Sequence, residues 1–128
     1  MKKQDELQSF YELTRITFTL HAKQADEIYF DLGFEKEDEA YNVWFESFVE
    51  VTNILMKNTQ TSDVSEHFMF FLSYLDDASD LIRKCIDVSY VENLFWGVDQ
   101  DSIKTYWALL PERMQVLYKN FHASSPIK

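Results

Sequence analysis

Between Lys36 and Lys57, Tyr41, Trp44, Phe48, Val51 and Leu55 recur at three- and four-residue intervals with Phe45 beside them, while Glu39, Glu46 and Glu50 fall on another face. Such spacing is the buried stripe of an α-helix and predicts one here, with its carboxylates turned to solvent. Upstream, Ala25, Ile28, Tyr29 and Leu32 follow the same rule until Gly33, the residue type favoured just past a helix end. The first segment, Asp5 to about His21, is less uniform. Leu7, Phe10, Leu13 and Thr17 share a helical side, whereas Ile16, Phe18 and Leu20 alternate as they would in a strand, which leaves Ile16 to Leu20 open between the two.

Beyond the polar run Asn58 to Ser62, Asp63 and Glu66 have the spacing of a capping box and predict a helix start. Its buried stripe would be Val64, Phe68, Phe71, Leu72 and Leu75. Met69, Phe70 and Tyr74 make it apolar nearly all round, as expected of a central helix, and His67 beside Glu66 reads as partly exposed. Asp76 and Asp77 would cap a helix holding Ala78, Leu81, Ile82 and Cys85, whose last turn carries Arg83 and Lys84 where the helix dipole favours cations. Asp87 would open a further helix through Val88, Val91, Leu94 and Phe95, closed by Gly97. A short helical turn is expected from Ile103 to Leu110, then Pro111 in the first turn of a last helix through Met114, Leu117, Tyr118 and Phe121.

The elements add up to an all-α, irregular single-domain bundle of about six or seven helices over residues 1–122, with 123–128 as a flexible tail. Two glycines and two prolines are too few for the turns of an all-β fold. Eleven Phe, seven Tyr and three Trp give 128 residues enough bulk for a core that needs neither metal nor disulfide. The lone Cys85 cannot pair within the chain and fits a reducing compartment. The acidic start lacks a secretion-signal apolar run, and the longest apolar stretch, around Phe68 to Leu72, is far below the ~20 residues a membrane span needs. The expectation is a soluble cytoplasmic protein.

Charge narrows the choice of partners. Twenty-two acidic against twelve basic residues give a net charge of −10, a poor surface for nucleic acid or an anionic membrane and a natural complement to a basic protein. The carboxylates gather in two tracts: nine acids with Lys36 alone between Asp26 and Glu50, and nine acids with Arg83 and Lys84 between Asp63 and Asp101.

Candidate catalytic patterns are thin. His21, His67 and His122 are scattered without the Glu-x-x-His or His-Glu-x-x-His spacing of metal sites, and no glycine-rich loop could hold a phosphate, so no metal or cofactor is expected. Asp76, Asp77 and Asp80 spell Asp-Asp-x-x-Asp, a spacing that can hold Mg²⁺ against a diphosphate, and Glu35-x-x-Asp38 with Asp77-x-x-Asp80 loosely echoes the paired acids of helical nucleotide pyrophosphatases. A Mg²⁺-dependent helical hydrolase of nucleotides is therefore the competing reading, and a regulatory adaptor the third. In the leading reading Asp38, Glu39, Glu46, Glu50, Asp76, Asp77 and Asp80 contact a partner around an aromatic anchor, Trp44, with Tyr41, Trp96, Tyr106 and Trp107 also available wherever exposed.

The run Ile86-Asp87-Val88-Ser89-Tyr90-Val91-Glu92-Asn93-Leu94-Phe95-Trp96, followed by Leu110-Pro111-Glu112-Arg113-Met114 and a closing helix, resembles the small acidic immunity proteins of bacterial toxin systems. Its layout is similar to a family of helical bacterial proteins thought to include such immunity proteins. The resemblance covers roughly half of the chain and implies a non-enzymatic protein that binds and neutralises a cognate basic toxin, a nuclease for instance, inside the producing cell. Nuclease sites are basic because they hold phosphates, so surface carboxylates could occupy similar positions.

Overall fold

The computed structural model describes residues 3–76 and 78–128 as seven α-helices, with no strand among them. The all-α expectation therefore holds. Helices α1 (Lys3–Thr17) and α2 (Thr19–Asp31) are separated by the single residue Phe18, whose backbone leaves the helical region at φ −124°, ψ 62°. Here lies the answer for Ile16 to Leu20: the alternation marks a joint, not a strand. Phe18 turns inward while Ile16 and Leu20 stay exposed on either side. Gly33, at φ 97°, ends α2 as expected, and the amides of Gly33 and Phe34 close back on the carbonyls of Phe30 and Tyr29.

Helix α3 (Tyr41–Lys57) buries ten of its 17 residues and packs against α1, α2, α4 and α6. It is the central helix, a role the sequence suggested for α4 (Thr61–Ser73), which buries four of its 13. Met69 on α4 is exposed and Phe70 half-buried, so an apolar circumference did not mean full enclosure. The aromatic core runs between these helices, with Phe10 on Phe45 at 5.2 Å and Phe71 stacked on Tyr90 at 3.9 Å.

Three expected caps are corrected by the backbone. Thr59 adopts a left-handed φ of 56°, and the amides of Thr59 and Gln60 bond the carbonyls of Met56 and Leu55, a tight exit that delivers the chain into α4 two residues before Asp63. The Asp63/Glu66 box consequently does not form. Ser79 caps α5 (Asp80–Lys84), its hydroxyl accepting the Ile82 amide, so Asp76 does not cap it, while Asp77 lies outside the described residues. Asp87 opens no new helix, because α5 runs straight into a π-helical segment, Cys85–Tyr90. Its wider turn brings Cys85, Ile86, Ser89 and Tyr90 together against α3.

After a 3-10 turn at Val91–Asn93, Asp99 caps α6 (Gln100–Leu109) by accepting the Ser102 amide, and α7 (Glu112–His122) follows with Pro111 at its N-cap, one place before the expected first turn. Of residues 123–128, expected as a flexible tail, the last five lie back against the start of α6, where the Gln100 side-chain amide donates to the Pro126 carbonyl and accepts the Lys128 amide. No helix among the described residues is long and apolar enough to cross a membrane.

Candidate functional site

Helix α3 presents a solvent stripe, Asn42, Glu46, Glu50 and Ile54, spaced every four residues along the edge that borders the segment 85–93. Two contacts place that border: the Ser89 hydroxyl donates to Asn42 Oδ1 at 3.3 Å, and the Asn53 side chain donates to the Asn93 carbonyl at 3.0 Å. The charge of Glu46 reaches the Cys85 thiol, which burial pushes up to about 12, so the thiol stays protonated and unreactive. Asp87 and Glu92 belong to the packed segment and its 3-10 turn, both with carboxyls raised by partial burial, Glu92 also by the neighbouring charge of Asp87, and the Glu92 carbonyl lies 2.9 Å from His122 Nε2 of α7. Of the acids of the first tract, Glu46 and Glu50 thus lie on the exposed stripe of the helix against which the segment 85–90 packs.

Of the other candidate acids, Asp38, Glu39, Asp76 and Asp80 are exposed, and all but Glu39 have local partners. Asp38 accepts the Glu35 amide within a 3-10 turn at Lys36–Asp38, and Glu39 leaves that turn in a left-handed conformation, φ 49°. Asp76 is paired with Arg113 of α7, and Asp80 with Arg83 at 2.7 Å. Exposed pairs of this kind contribute little stability, but they reduce the free negative charge of the Asp-Asp-x-x-Asp stretch. Among the described residues no group of three or more His, Cys, Asp and Glu side chains is placed to hold a metal ion.

Trp44 does not serve as an exposed anchor. It is only 2 % exposed, and its indole N–H donates to Asp26 Oδ1 at 2.8 Å, an oxygen shared with the Arg15 pair at 2.6 Å. Arg15 also lies over the Tyr11 and Trp44 rings, closing a pocket of about 70 Å³ in which Arg15 and Asp26 pair with each other. The helical stripe that predicted α3 already committed Trp44 to the core. Of the remaining aromatics, Tyr41 and Tyr106 are buried and Trp107 is half-buried, leaving Trp96 at 85 % exposure.

Trp96 sits between two residues with left-handed backbone, Phe95 at φ 71° and Gly97 at φ 72°. For Phe95 that conformation costs on the order of 1–3 kcal/mol and must be held by its surroundings. Asn53 supplies the hold from α3: its Oδ1 accepts the Phe95 amide at 2.8 Å while its Nδ2 grips the Asn93 carbonyl. The Phe95 ring is buried edge-on against Trp107 and Tyr118. Sequence reading missed Asn53 because an amide on a helix carries no sign of the distant loop it brackets. Replacing Asn53 by Ala leaves the Phe95 N–H and Asn93 C=O unpaired, with an expected loss of about 1–3 kcal/mol in urea unfolding; a loss below half of that would mean the turn is held without it.

A second polar centre lies inside. His67, fully buried and not partly exposed as expected, shares a hydrogen bond of 2.7 Å between its Nε2 and His21 Nδ1, and its Nδ1 bonds Thr52 Oγ1, which reaches the Tyr90 hydroxyl. It was misplaced because Glu66 does not cap the helix, and the facing side of α4 carries His67 against Phe18 and Phe48. Burial first, then the neighbouring His21, lowers its pKa to about 3.

The family described as a domain of unknown function (DUF7674) matches the chain over residues 8–123. No curated protein and no solved structure matches it.

Proposed function

The chain belongs to the DUF7674 family, whose function is unknown, and on the charge and geometry of its surface we propose that it is a binding protein that captures a basic protein, acting as the immunity partner of a toxin. The observation that supports the reading is the exposed face of α3, where Glu46 and Glu50 stand one turn apart with no cation paired to them among the described residues, on a chain of net charge −10. Opposite charge speeds encounter with a basic partner, and carboxylates facing Arg or Lys give charge-assisted hydrogen bonds that fix register. A nuclease suits this surface, because the cations that hold its phosphate substrate would be the ones covered.

The test is the product of the adjacent coding frame. Expressed alone in a bacterial host it should arrest growth, and co-expression of this chain should restore it. In calorimetry with the purified pair, the double reversal Glu46→Lys/Glu50→Lys should weaken binding about a hundredfold, while reversal of Asp76 and Asp80 changes it less than about threefold. A neighbour that neither harms the host nor binds would overturn the immunity reading. Affinity indifferent to both reversals would overturn the acidic surface.

A further inference from the structure

Two imidazoles meet beside the joint between α1 and α2. His21, half-buried at the start of α2, faces the fully buried His67 of α4 across 2.7 Å between Nδ1 and Nε2. Only one hydrogen fits between two nitrogens so close. The closed pair therefore leaves one of its ring nitrogens without a proton and carries at most a single positive charge, whichever tautomer it adopts.

A second charge can enter only if the rings separate, and the two are not equally free to move. His67 is held at Nδ1 by Thr52 and packed by Phe48. His21 follows closely on Phe18, the non-helical joint residue whose side chain gives α2 no cap. The Phe18 ring covers both imidazoles, at 4.6 Å from His67 and 6.2 Å from His21, with exposed Ile16 and Leu20 on either side. The Arg15–Asp26 pair ties α1 to α2 around this stretch, which limits how far an opening spreads. Among the described residues no carboxylate, lysine or arginine bonds to either ring. The other titratable group in reach is the Tyr90 hydroxyl, joined through Thr52 and kept protonated by burial. No negative charge at hydrogen-bond distance offsets a second proton, and burial with the neighbouring His21 already lowers the His67 pKa to about 3.

We propose that the His21–His67 pair is an acid-operated latch on this joint: uptake of the second proton parts the rings, and residues 16–22 swing out so that Phe18 joins Ile16 and Leu20 at the surface while the rest of the bundle stays folded. The open form binds one proton that the closed form refuses. Its share should therefore rise about tenfold with each pH unit below the ordinary imidazole range.

Hydrogen exchange at the amides of Phe18 and Ala22, which bond the carbonyls of Thr14 and Phe18, reads the opening. From about pH 6 to 4 their protection should fall roughly a hundredfold. It should be unmoved by ~1 M urea, because a local opening exposes little surface, whereas protection of Phe48 and Val51 in α3 should be higher and should fall with urea. His67→Gln, with no proton to accept, should lose the pH dependence at the joint. Independently of that variant, the ring-nitrogen resonances of the parent should show a neutral His67 for as long as the joint amides stay protected.

Joint amides that share the urea dependence of α3 would overturn the latch, since the joint would then open only with the whole fold. Protection indifferent to pH, or a pH dependence that survives in His67→Gln, would do the same. So would a charged His67 ring in protein whose joint amides remain protected.

Discussion

Replacement of Trp44 by alanine should remove about 3–5 kcal/mol of stability, the usual range for deleting a fully buried large aromatic ring and leaving a cavity. Trp44 touches Tyr11 of α1 edge-on at 4.9 Å, and Phe45 and Phe48 within its own helix. Through its N–H to Asp26 it also ties α3 to the Arg15–Asp26 pair that joins α1 and α2. Domains of this size have total stabilities of about 5–15 kcal/mol, so the variant should unfold at far lower urea and at a midpoint lower by roughly 10–20 °C. Trp44→Phe keeps most of the apolar area and drops only the donor to Asp26, which retains Arg15; about 1 kcal/mol should be lost. Equal losses for Ala and Phe would assign the contribution to the hydrogen bond, and losses below about 1 kcal/mol for both would mean that Trp44 is not enclosed in solution.

Acid should weaken the fold well before the surface carboxylates titrate, through His67. Its native pKa is depressed to about 3, whereas the unfolded side chain titrates near 6.5. Above pH 6.5 both states are neutral at this site and no penalty arises. Below it the unfolded chain takes up a proton that the native core refuses, so stability falls by up to about 1.4 kcal/mol per pH unit, reaching on the order of 4 kcal/mol as pH approaches 3. The refusal has a structural cause: Phe18 and Phe48 pack on the ring, His21 offers a second imidazole, and Thr52 and Tyr90 complete a chain of neutral hydrogen bonds with no carboxylate in it.

Glu46, Asp87 and Glu92 act with the opposite sign. Their carboxyls are raised in the folded state, so the native protein binds those protons more readily and gains stability as pH falls through their titration. The His67 contribution is therefore read as a difference between the parent and His67→Gln, a polar side chain without a proton to accept. In urea unfolding, stability should fall more steeply from pH 7 to 5 in the parent than in the variant, which keeps only the carboxylate contribution. Identical slopes would mean that His67 is hydrated and titrates normally.

Only part of the candidate site was legible beforehand. Glu46 and Glu50 were placed on a solvent face by the same periodicity that buried Trp44, because helical spacing sorts residues of one segment by direction. Nothing in that periodicity could say that the π-helical segment Cys85–Tyr90 would pack along the same helix. Asp76 and Asp80 carried as much charge in the sequence as Glu46 and Glu50, yet Arg113 and Arg83 hold them in the fold. Trp96 looked no different from Trp107 until the backbone around it was known.

By itself the sequence determined the all-α class, the buried stripe and the end of α3 at Lys57, the stop of α2 at Gly33 and the negative charge, since these depend on local spacing, backbone propensity and charge, whereas the start expected near Lys36 moved to Tyr41 behind a 3-10 turn. The tertiary structure alone decided which helix became central, where Ser79 displaced the expected caps, why His67 is interior and why Trp96 is held outward. Apart from the Ser79 cap, whose partner Ile82 is a local neighbour, those outcomes rest on partners far along the chain, such as Asn53 on Phe95 and Thr52 on His67. A pattern of nearest neighbours contains no term for them.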